Sequence, residues 1–179
     1  ELTDELIKRI KATLPELPDE KKHRFMNEFG LSLYDASVLI AEQYRAAYFE
    51  TVVQHGKDAK LSANWVINEL LGWLNKHEVS LEASPVTAEN LGLMVARIAD
   101  NTISGKIAKD VFAAMMETGK NADTIIEEKG LKQVTDTGAI EAIIDEVIAE
   151  NPDNVAAYRG GKQQLFGFFV GQTMKKSQG

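Results

Sequence analysis

Side chains that commonly perform catalysis are sparse in this sequence. Its three histidines lie far apart, and none forms the i, i+4 pair that places two ligands of a zinc ion on one helix face. The chain contains no cysteine and no Gly-x-Ser-x-Gly segment of the kind that exposes a nucleophilic serine. Its carboxylates are spread over polar helix faces. We therefore expect no catalytic residue and no metal site within these residues.

A short glycine-rich segment near the end of the chain resembles a phosphate-binding loop at first sight. It consists of Gly160, Gly161 and Lys162. A nucleotide-binding loop of the form G-x-x-x-x-G-K-[ST] would need a glycine where this chain has Ala156, and a serine or threonine where it has Gln163. The segment therefore predicts no nucleotide site, and we expect no cofactor to bind these residues.

The residues that follow combine glycine with polar and basic side chains in a helical pattern. At 100° per residue, Gln164, Gly167, Gly171 and Lys175 fall on one narrow face of a helix. Each interior glycine costs about 1 kcal/mol relative to alanine, so two of them indicate that something approaches the helix backbone closely. The pattern fits close packing of another helix and the approach of an RNA backbone equally well. An apolar arc covers the rest of the helix and consists of Leu165, Phe166, Phe169, Val170 and Met174.

Charge is distributed unevenly along the chain. The net charge is −7, but residues 155–179 contain four basic residues and no Asp or Glu, so the first 154 residues carry −11. An acidic body repels a polyanion overall, whereas a segment of charge +4 can contact phosphates within a Debye length of about 8 Å. The alternative is a solvated helix end whose lysines interact with the helix dipole. Charge alone favours this alternative.

Apolar residues recur at intervals of three and four along nearly the whole chain, which predicts an all-α protein of two small helical bundles. The segment EVSLEASPVTAEN lacks this periodicity, so we place a linking helical domain over residues 1–79 and a second domain over residues 80–179. No apolar run approaches the roughly 18 residues of a membrane span and no signal peptide is present, so we expect a cytoplasmic protein. Because the chain begins with Glu1 in amphipathic sequence, we expect a fragment of a longer protein.

Local signals locate several helices. A first helix is predicted from Leu2 to the segment LPELP, where two prolines end it. Ser32 and Ser104 are of the N-cap type, and Gly30 and Gly130 are expected to end helices. Residues 33–56 form either one helix or two with a break near Ala41, and the last helix is expected within YRGGKQQLFGFFVGQTMKK. The indoles of Trp65 and Trp73 are about 80° apart on one helix, which favours core positions, whereas an exposed Trp65 would mark an interface.

Four segments carry a resemblance to a known family. They are ANWVINELLGWLN, ISGKIAKDVF, IIEEKGLKQVTD and NPDNVAAYRGGKQQLFGFFVGQTMK. In this order and spacing they resemble the C-terminal part of the B subunit of bacterial aspartyl/glutamyl-tRNA amidotransferases (GatB), over essentially the whole chain. The resemblance implies a helical linking domain followed by a YqeY-like tail domain. Members of that family continue with a further helix, so it also implies that the end of the tail domain is missing here.

The resemblance implies a part in indirect aminoacylation in bacteria. In that family, Glu-tRNA(Gln) or Asp-tRNA(Asn) is activated with ATP and then amidated with ammonia from glutamine. The site that uses ATP and Mg²⁺ lies in an N-terminal domain of the B subunit, and glutamine hydrolysis belongs to the A subunit. This chain would hold the tRNA near its elbow and D-loop without performing the chemistry, and it would meet the A and C subunits through the longer protein.

The resemblance and the glycine face together give a hypothesis for the site. Gly167 and Gly171 would admit the sugar-phosphate backbone, and Phe168 would stack on an unpaired base. Phosphates would be contacted by Arg159, Lys162, Lys175 and Lys176, and ribose hydroxyls by Gln163 or Gln164. Lys162 has the alternative of lying over the apolar arc. Two other interpretations stay open: a free-standing YqeY-like protein, against which residues 1–79 argue, and a YqeY-like protein-interaction module without RNA contact.

Overall fold

The computed structural model describes residue 5 and residues 15–132 and 137–178, and these ranges contain helices and no strand. The all-α prediction is confirmed. Apart from Glu5, the predicted first helix lies outside the described residues up to residue 14. The helices are α1 (Pro18–Glu28), α2 (Leu33–Ile40), α3 (Gln43–Gly56), α4 (Ala59–Asn64), α5 (Leu71–Lys76), α6 (Ala88–Ala99), α7 (Gly105–Thr118), α8 (Ala122–Lys129), α9 (Thr137–Glu150), α10 (Pro152–Arg159) and α11 (Leu165–Ser177).

Caps explain where several of these helices begin and end. The Ser32 hydroxyl accepts a hydrogen bond from the Asp35 amide at 3.0 Å, and Ser104 caps α7 in the same way through the Ile107 amide. Gly130 ends α8 in the left-handed conformation, which costs glycine little. These predicted helix ends are confirmed. The helix is interrupted at Ala41 and Glu42, so residues 33–56 form the two helices α2 and α3.

The chain forms two compact units. The first consists of the described residues up to Glu50 and of Ala59–Glu82. Its core contains three phenylalanine rings, Phe25, Phe29 and Phe49, whose centroids lie 5.1–5.6 Å apart. These are edge-to-face or tilted contacts, the arrangement that aromatic rings prefer.

A π-helical stretch, Trp65–Leu70, connects α4 to α5 within the first unit. The wider turn changes which side chains face the core, and Trp65 is only 4% exposed. Trp73 is half-buried and stacks on the His77 ring, with 3.8 Å between centroids. Trp65 is therefore a core residue, as the favoured interpretation predicts.

The second unit consists of Thr51–Asp58 and the described residues from Ala83 onwards. The boundary at Glu82 and Ala83 falls within a short 3-10 helix, Leu81–Ala83. Its fully buried side chains come mainly from α6, α7 and α8, among them Leu91, Met94, Met115 and Ile125. The division into compact units does not test the predicted domains, a linking domain over residues 1–79 and a tail domain over residues 80–179, and these stay a prediction. Within the described ranges, no helix has the length and apolar character needed to cross a membrane.

Within the second unit, the last residues of α3, from Thr51 onwards, meet α6 at a pair of glycines. A β-carbon added to Gly92 of α6 would lie 2.6 Å from the His55 Cβ and 2.8 Å from the Val52 carbonyl oxygen. One added to Gly56 would lie 2.8 Å from a γ-carbon of Val95. No side chain fits at such distances, so the crossing of α3 and α6 depends on these two glycines.

The final part of the chain differs from the sequence-based expectation. The pattern predicts one last helix within YRGGKQQLFGFFVGQTMKK, but Arg159 ends α10 and α11 begins only at Leu165. Gly160 caps α10, and Gly161 adopts φ +102°, a left-handed backbone that few other residues tolerate. The basic and amide residues before Leu165 therefore lie in a turn, and their positions are not given by the helical wheel.

Candidate nucleic-acid interface

The predicted interface residues lie on α10, α11 and the turn between them. α11 packs against α9 and α10. Local hydrogen bonds fix the turn: the Lys162 amide donates to the Ala157 carbonyl at 3.1 Å, and the Gln163 amide donates to the Gly161 carbonyl at 2.9 Å. The turn thus holds Lys162, Gln163 and Gln164 exposed at the start of α11.

The glycine face of α11 is open. Gly167 and Gly171 are exposed, and a β-carbon added to either would meet no described atom within 4 Å. Lys175 is also exposed, one helical turn beyond Gly171. No described residue packs on this face, so contacts within the described chain do not account for the two glycines.

Three of the four predicted cations lack a carboxylate partner among the described residues. Arg159, Lys162 and Lys175 are exposed and make no ion pair with any described residue. Unpaired, exposed cations on a segment without carboxylates suit the recognition of phosphate groups.

Lys176 has a different environment. Its ammonium lies 2.8 Å from a carboxylate oxygen of Glu150 and 3.2 Å from one of Glu146, both on α9. The hydrogen bond to Glu150, followed by that to Glu146, raises the pKa of Lys176. Lys176 therefore links α11 to α9, and its charge is already matched by two carboxylates.

Phe168 is only partly available for stacking. It is half-buried, and its ring makes an edge-to-face contact with Phe169, with 5.5 Å between centroids. The structure thus brings Gly167, Gly171 and Lys175 together on one open face and places Phe168 at its edge. Lys176 lies apart from that face in an ion pair.

Sequence reasoning missed the exposure of the apolar arc. Phe166 is 61% exposed and Met174 54% exposed, and Val170 lies between them on the same side of α11. The arc spans roughly 180° at 100° per residue, wider than the stripe that one packing contact covers. That width is the signal in the sequence that part of the arc faces outward.

A cavity opens beside this exposed arc. It has a volume of about 320 Å³ and lies between α9, α10 and α11. Apolar side chains form most of its wall, including Ile144, Ile148, Tyr158, Phe166 and Phe169. Arg159 also lines it and is the one charged residue that does so in the described chain.

No metal site accompanies these features. Among residues 15–132 and 137–178, no group of three or more His, Asp or Glu side chains is arranged to hold a metal ion. What α10, α11 and the turn between them offer to a ligand is exposed cations, open helix backbone and aromatic side chains.

Comparison with known proteins assigns the chain to a family. The GatB domain family model matches residues 47–179. The chain belongs to this family.

Curated relatives match the whole chain. It is 58% identical over 180 residues to the B subunit of the aspartyl/glutamyl-tRNA(Asn/Gln) amidotransferase of Thioalkalivibrio sulfidiphilus, covering 100% of the chain and 38% of the relative. The corresponding protein of Rhodospirillum rubrum is 54% identical over 179 residues, covering 100% of the chain and 37% of the relative. That of Nitrosococcus oceani is 57% identical over 179 residues, covering 99% of the chain and 38% of the relative. The chain thus spans somewhat more than a third of the length of these relatives.

Proposed function

We propose that this chain is the tRNA-holding part of the B subunit of a glutamine-dependent Asp/Glu-tRNA(Asn/Gln) amidotransferase. The observation that carries the proposal is the open face of α11. Two interior glycines lie there without any described residue against them, beside cations that have no carboxylate partner among the described residues. The relatives that match the whole chain are named for an enzyme of aminoacylated tRNA, so RNA is the polyanion that such a face would meet.

The glycine face sets how closely RNA can approach. Without β-carbons at Gly167 and Gly171, a sugar-phosphate backbone can lie directly against the helix. Lys175, Lys162 of the turn and Arg159 at the end of α10 would then neutralise phosphates, while Gln163 and Gln164 reach ribose hydroxyls. Such contacts read the shape of the tRNA and carry little base sequence information.

The chemistry would take place elsewhere in the assembly. Activation of the misacylated tRNA with ATP and Mg²⁺ would belong to another part of the B subunit, and ammonia would come from glutamine hydrolysis in the A subunit, with the C subunit completing the complex. The chain's own contribution is to position tRNA(Gln), tRNA(Asn) or both. Positioning of this kind favours reaction because it replaces a collision between two molecules by a step within one complex.

Binding of the chain to tRNA at two salt concentrations tests the proposal. We expect tRNA(Gln) or tRNA(Asn) to bind more tightly than an unrelated elongator tRNA, with an affinity that falls steeply with salt. Each phosphate contact contributes about 0.9 to the slope of log affinity against log salt. The double change Lys162→Ala and Lys175→Ala should therefore lower that slope by nearly 2.

One control variant and one disruptive variant make this test specific. Lys106→Ala removes an exposed cation that has no ion pair among the described residues and lies on α7, away from α11 in the sequence, so it should leave the slope unchanged. Gly171→Glu places a carboxylate on the open face and should abolish binding, while circular dichroism shows the helices retained. Binding without salt dependence, or with equal loss in Lys106→Ala, would refute the proposal.

The exposed apolar arc supports a second candidate function. Phe166, Val170 and Met174 form a stripe that a helix of a partner protein could cover. In that case the chain is a YqeY-like interaction module without RNA contact. Absence of tRNA binding at low salt, together with salt-insensitive binding of the A or C subunit, would favour it.

A further inference from the structure

The chain from α4 to α5 buries one row of side chains in the first unit. Its members, each four residues after the last, are Ser62, Val66, Leu70 and Leu74. In an α-helix a step of four residues advances about 40° around the axis, so three steps would turn Leu74 about 120° away from Ser62. A row with this spacing does not stay on one face of an uninterrupted α-helix, yet all four side chains are buried here.

The π-helical stretch Trp65–Leu70 lies in the middle of this row and corrects its direction. The Leu71 amide donates to the Val66 carbonyl, five residues earlier, whereas an α-helix closes each turn over four. The wider turn holds more residues, so each of them advances less around the axis. Leu70 and Leu74 therefore return to the side of the helix on which Ser62 and Val66 lie.

The row would need no such turn if the chain were one residue shorter between Val66 and Leu70. Its members would then stand at i, i+4, i+7 and i+11, the spacing of an ordinary core-facing α-helical stripe. Neither proline nor glycine, which commonly distort helices, occurs within residues 59–71. The number of residues is thus a sufficient reason for the wide turn.

Asn68 is the residue that the core can spare. Among residues 67–69 it is the exposed one, whereas its two neighbours are half-buried. Its side-chain amide donates to the side-chain oxygen of Asn64 at 2.7 Å, and Asn64 is exposed as well. Asn68 therefore lies on the side of the turn away from the buried row.

We propose that Asn68 is an extra residue in an otherwise α-helical segment, and that the π-helical stretch is the conformational device that absorbs it. The segment runs from Ala59 to Lys76. The device keeps the buried row in place while it adds a hydrogen-bonded amide pair, Asn64 and Asn68, to the opposite side of the helix. It depends on side chains that the described residues already bury, and it does not require the proposed tRNA-holding function.

Deletion of Asn68 tests the proposal. We expect the segment to become a continuous α-helix with the same buried row, so the melting temperature should equal that of the unaltered chain or exceed it. The tryptophan emission maximum should not shift, because Trp65 stays buried. Asn68→Ala removes the amide and keeps the residue, so the π-helical stretch remains and the melting temperature should change by about 2 °C or less.

Deletion of Gln54 is the matched control. Gln54 is likewise an exposed amide residue, but it lies within the regular helix α3. Its loss would turn Gly56 by about 100° and bring a side chain against Val95, which leaves no room for a β-carbon at Gly56. We expect the melting temperature to fall by about 2–12 °C, the shift that corresponds to an overpacked core.

Two results would overturn the proposal. Unfolding of the Asn68 deletion variant, or a fall in its melting temperature beyond that of Asn68→Ala, would show that the core requires this residue. Equal tolerance of the Asn68 and Gln54 deletions would show that the direction of the buried row limits neither site, and the π-helical stretch would then need another cause.

Discussion

Two pairs of helix glycines in the second unit have opposite surroundings. Gly56 and Gly92 are buried, and a β-carbon on Gly92 would lie 2.6 Å from the His55 Cβ. Gly167 and Gly171 are exposed, and a β-carbon on either would meet no described atom within 4 Å. The helix cost of glycine is similar at interior positions, about 1 kcal/mol relative to alanine. Only the first pair offsets that cost with a contact between described helices.

The difference separates two reasons for glycine in a helix. At the first pair, backbone lies against backbone, and the glycines serve the fold. At the second pair, the fold of the described residues gains nothing from the missing side chains. The proposed close approach of RNA would explain Gly167 and Gly171.

The largest effect is expected at the buried pair. Gly92→Ala would place a methyl group 2.8 Å from the Val52 carbonyl oxygen, which is backbone and cannot move aside cheaply. We expect a loss of about 1–3 kcal/mol in the free energy of unfolding, the usual range for an overpacked core. Urea denaturation followed by circular dichroism measures it.

Gly72→Ala is the control for this prediction. Gly72 lies in α5, and a β-carbon there would meet no described atom within 4 Å. The change should raise the free energy of unfolding by up to about 1 kcal/mol, because alanine is the better helix former. Equal effects of Gly92→Ala and Gly72→Ala would show that the crossing of α3 and α6 does not need its glycines.

The sequence predicts the helices because their signals are local. Ser32 and Ser104 each cap a helix by accepting a hydrogen bond from an amide three residues later, and Gly130 ends a helix. The function of Gly92 is different, since it depends on Val52 and His55, which are far away along the chain. No local pattern distinguishes a glycine that faces another backbone from one that faces solvent.

The candidate site is only partly predictable for the same reason. The helical wheel places Gly167, Gly171 and Lys175 on one face, and the structure gives that arrangement. The wheel cannot show that Lys176 pairs with Glu150, because the ion pair joins separate helices. Nor can it show how much of the apolar arc other helices cover, which is why the exposure of Phe166 is visible only in the structure.

A smaller effect, of opposite sign, is expected at the open pair. Gly167→Ala and Gly171→Ala should each raise the free energy of unfolding by up to about 1 kcal/mol, because each added methyl group enters open space. If RNA lies against this face, the same changes should weaken tRNA binding. Thermal melting and a binding titration on the same samples give both numbers.

Opposite movement of stability and affinity is the signature of a binding face. A fall in stability with Gly171→Ala would show that part of the protein packs against this face. Both glycine pairs would then serve close packing. A rise in stability with unchanged affinity would leave the open glycines without an RNA contact and would count against the proposed function.

The smallest effect concerns an ion pair that fixes the helix carrying Gly92. Arg97 of α6 donates two hydrogen bonds to the Asp123 carboxylate of α8, at 2.7 and 3.0 Å, and α11 has no such link to a described residue on its open face. The hydrogen bonds from Arg97 lower the pKa of Asp123 below its ordinary value of 3.8. A carboxyl group with a lowered pKa stabilises the folded state above its unfolded pKa, and this contribution disappears as the pH falls through the folded pKa.

Asp123→Asn should therefore lower the melting temperature slightly at pH 7. The loss in the free energy of unfolding should be less than about 1 kcal/mol, since the pair is partly exposed. The difference between the two proteins should shrink as the pH falls below about 4. Asp110→Asn removes an equal charge from an exposed residue without an ion pair among the described residues, so it should show little change at any pH. A difference that persists unchanged to about pH 2, below the usual range of carboxyl pKa values, would mean that Asp123 acts through packing and not through its charge.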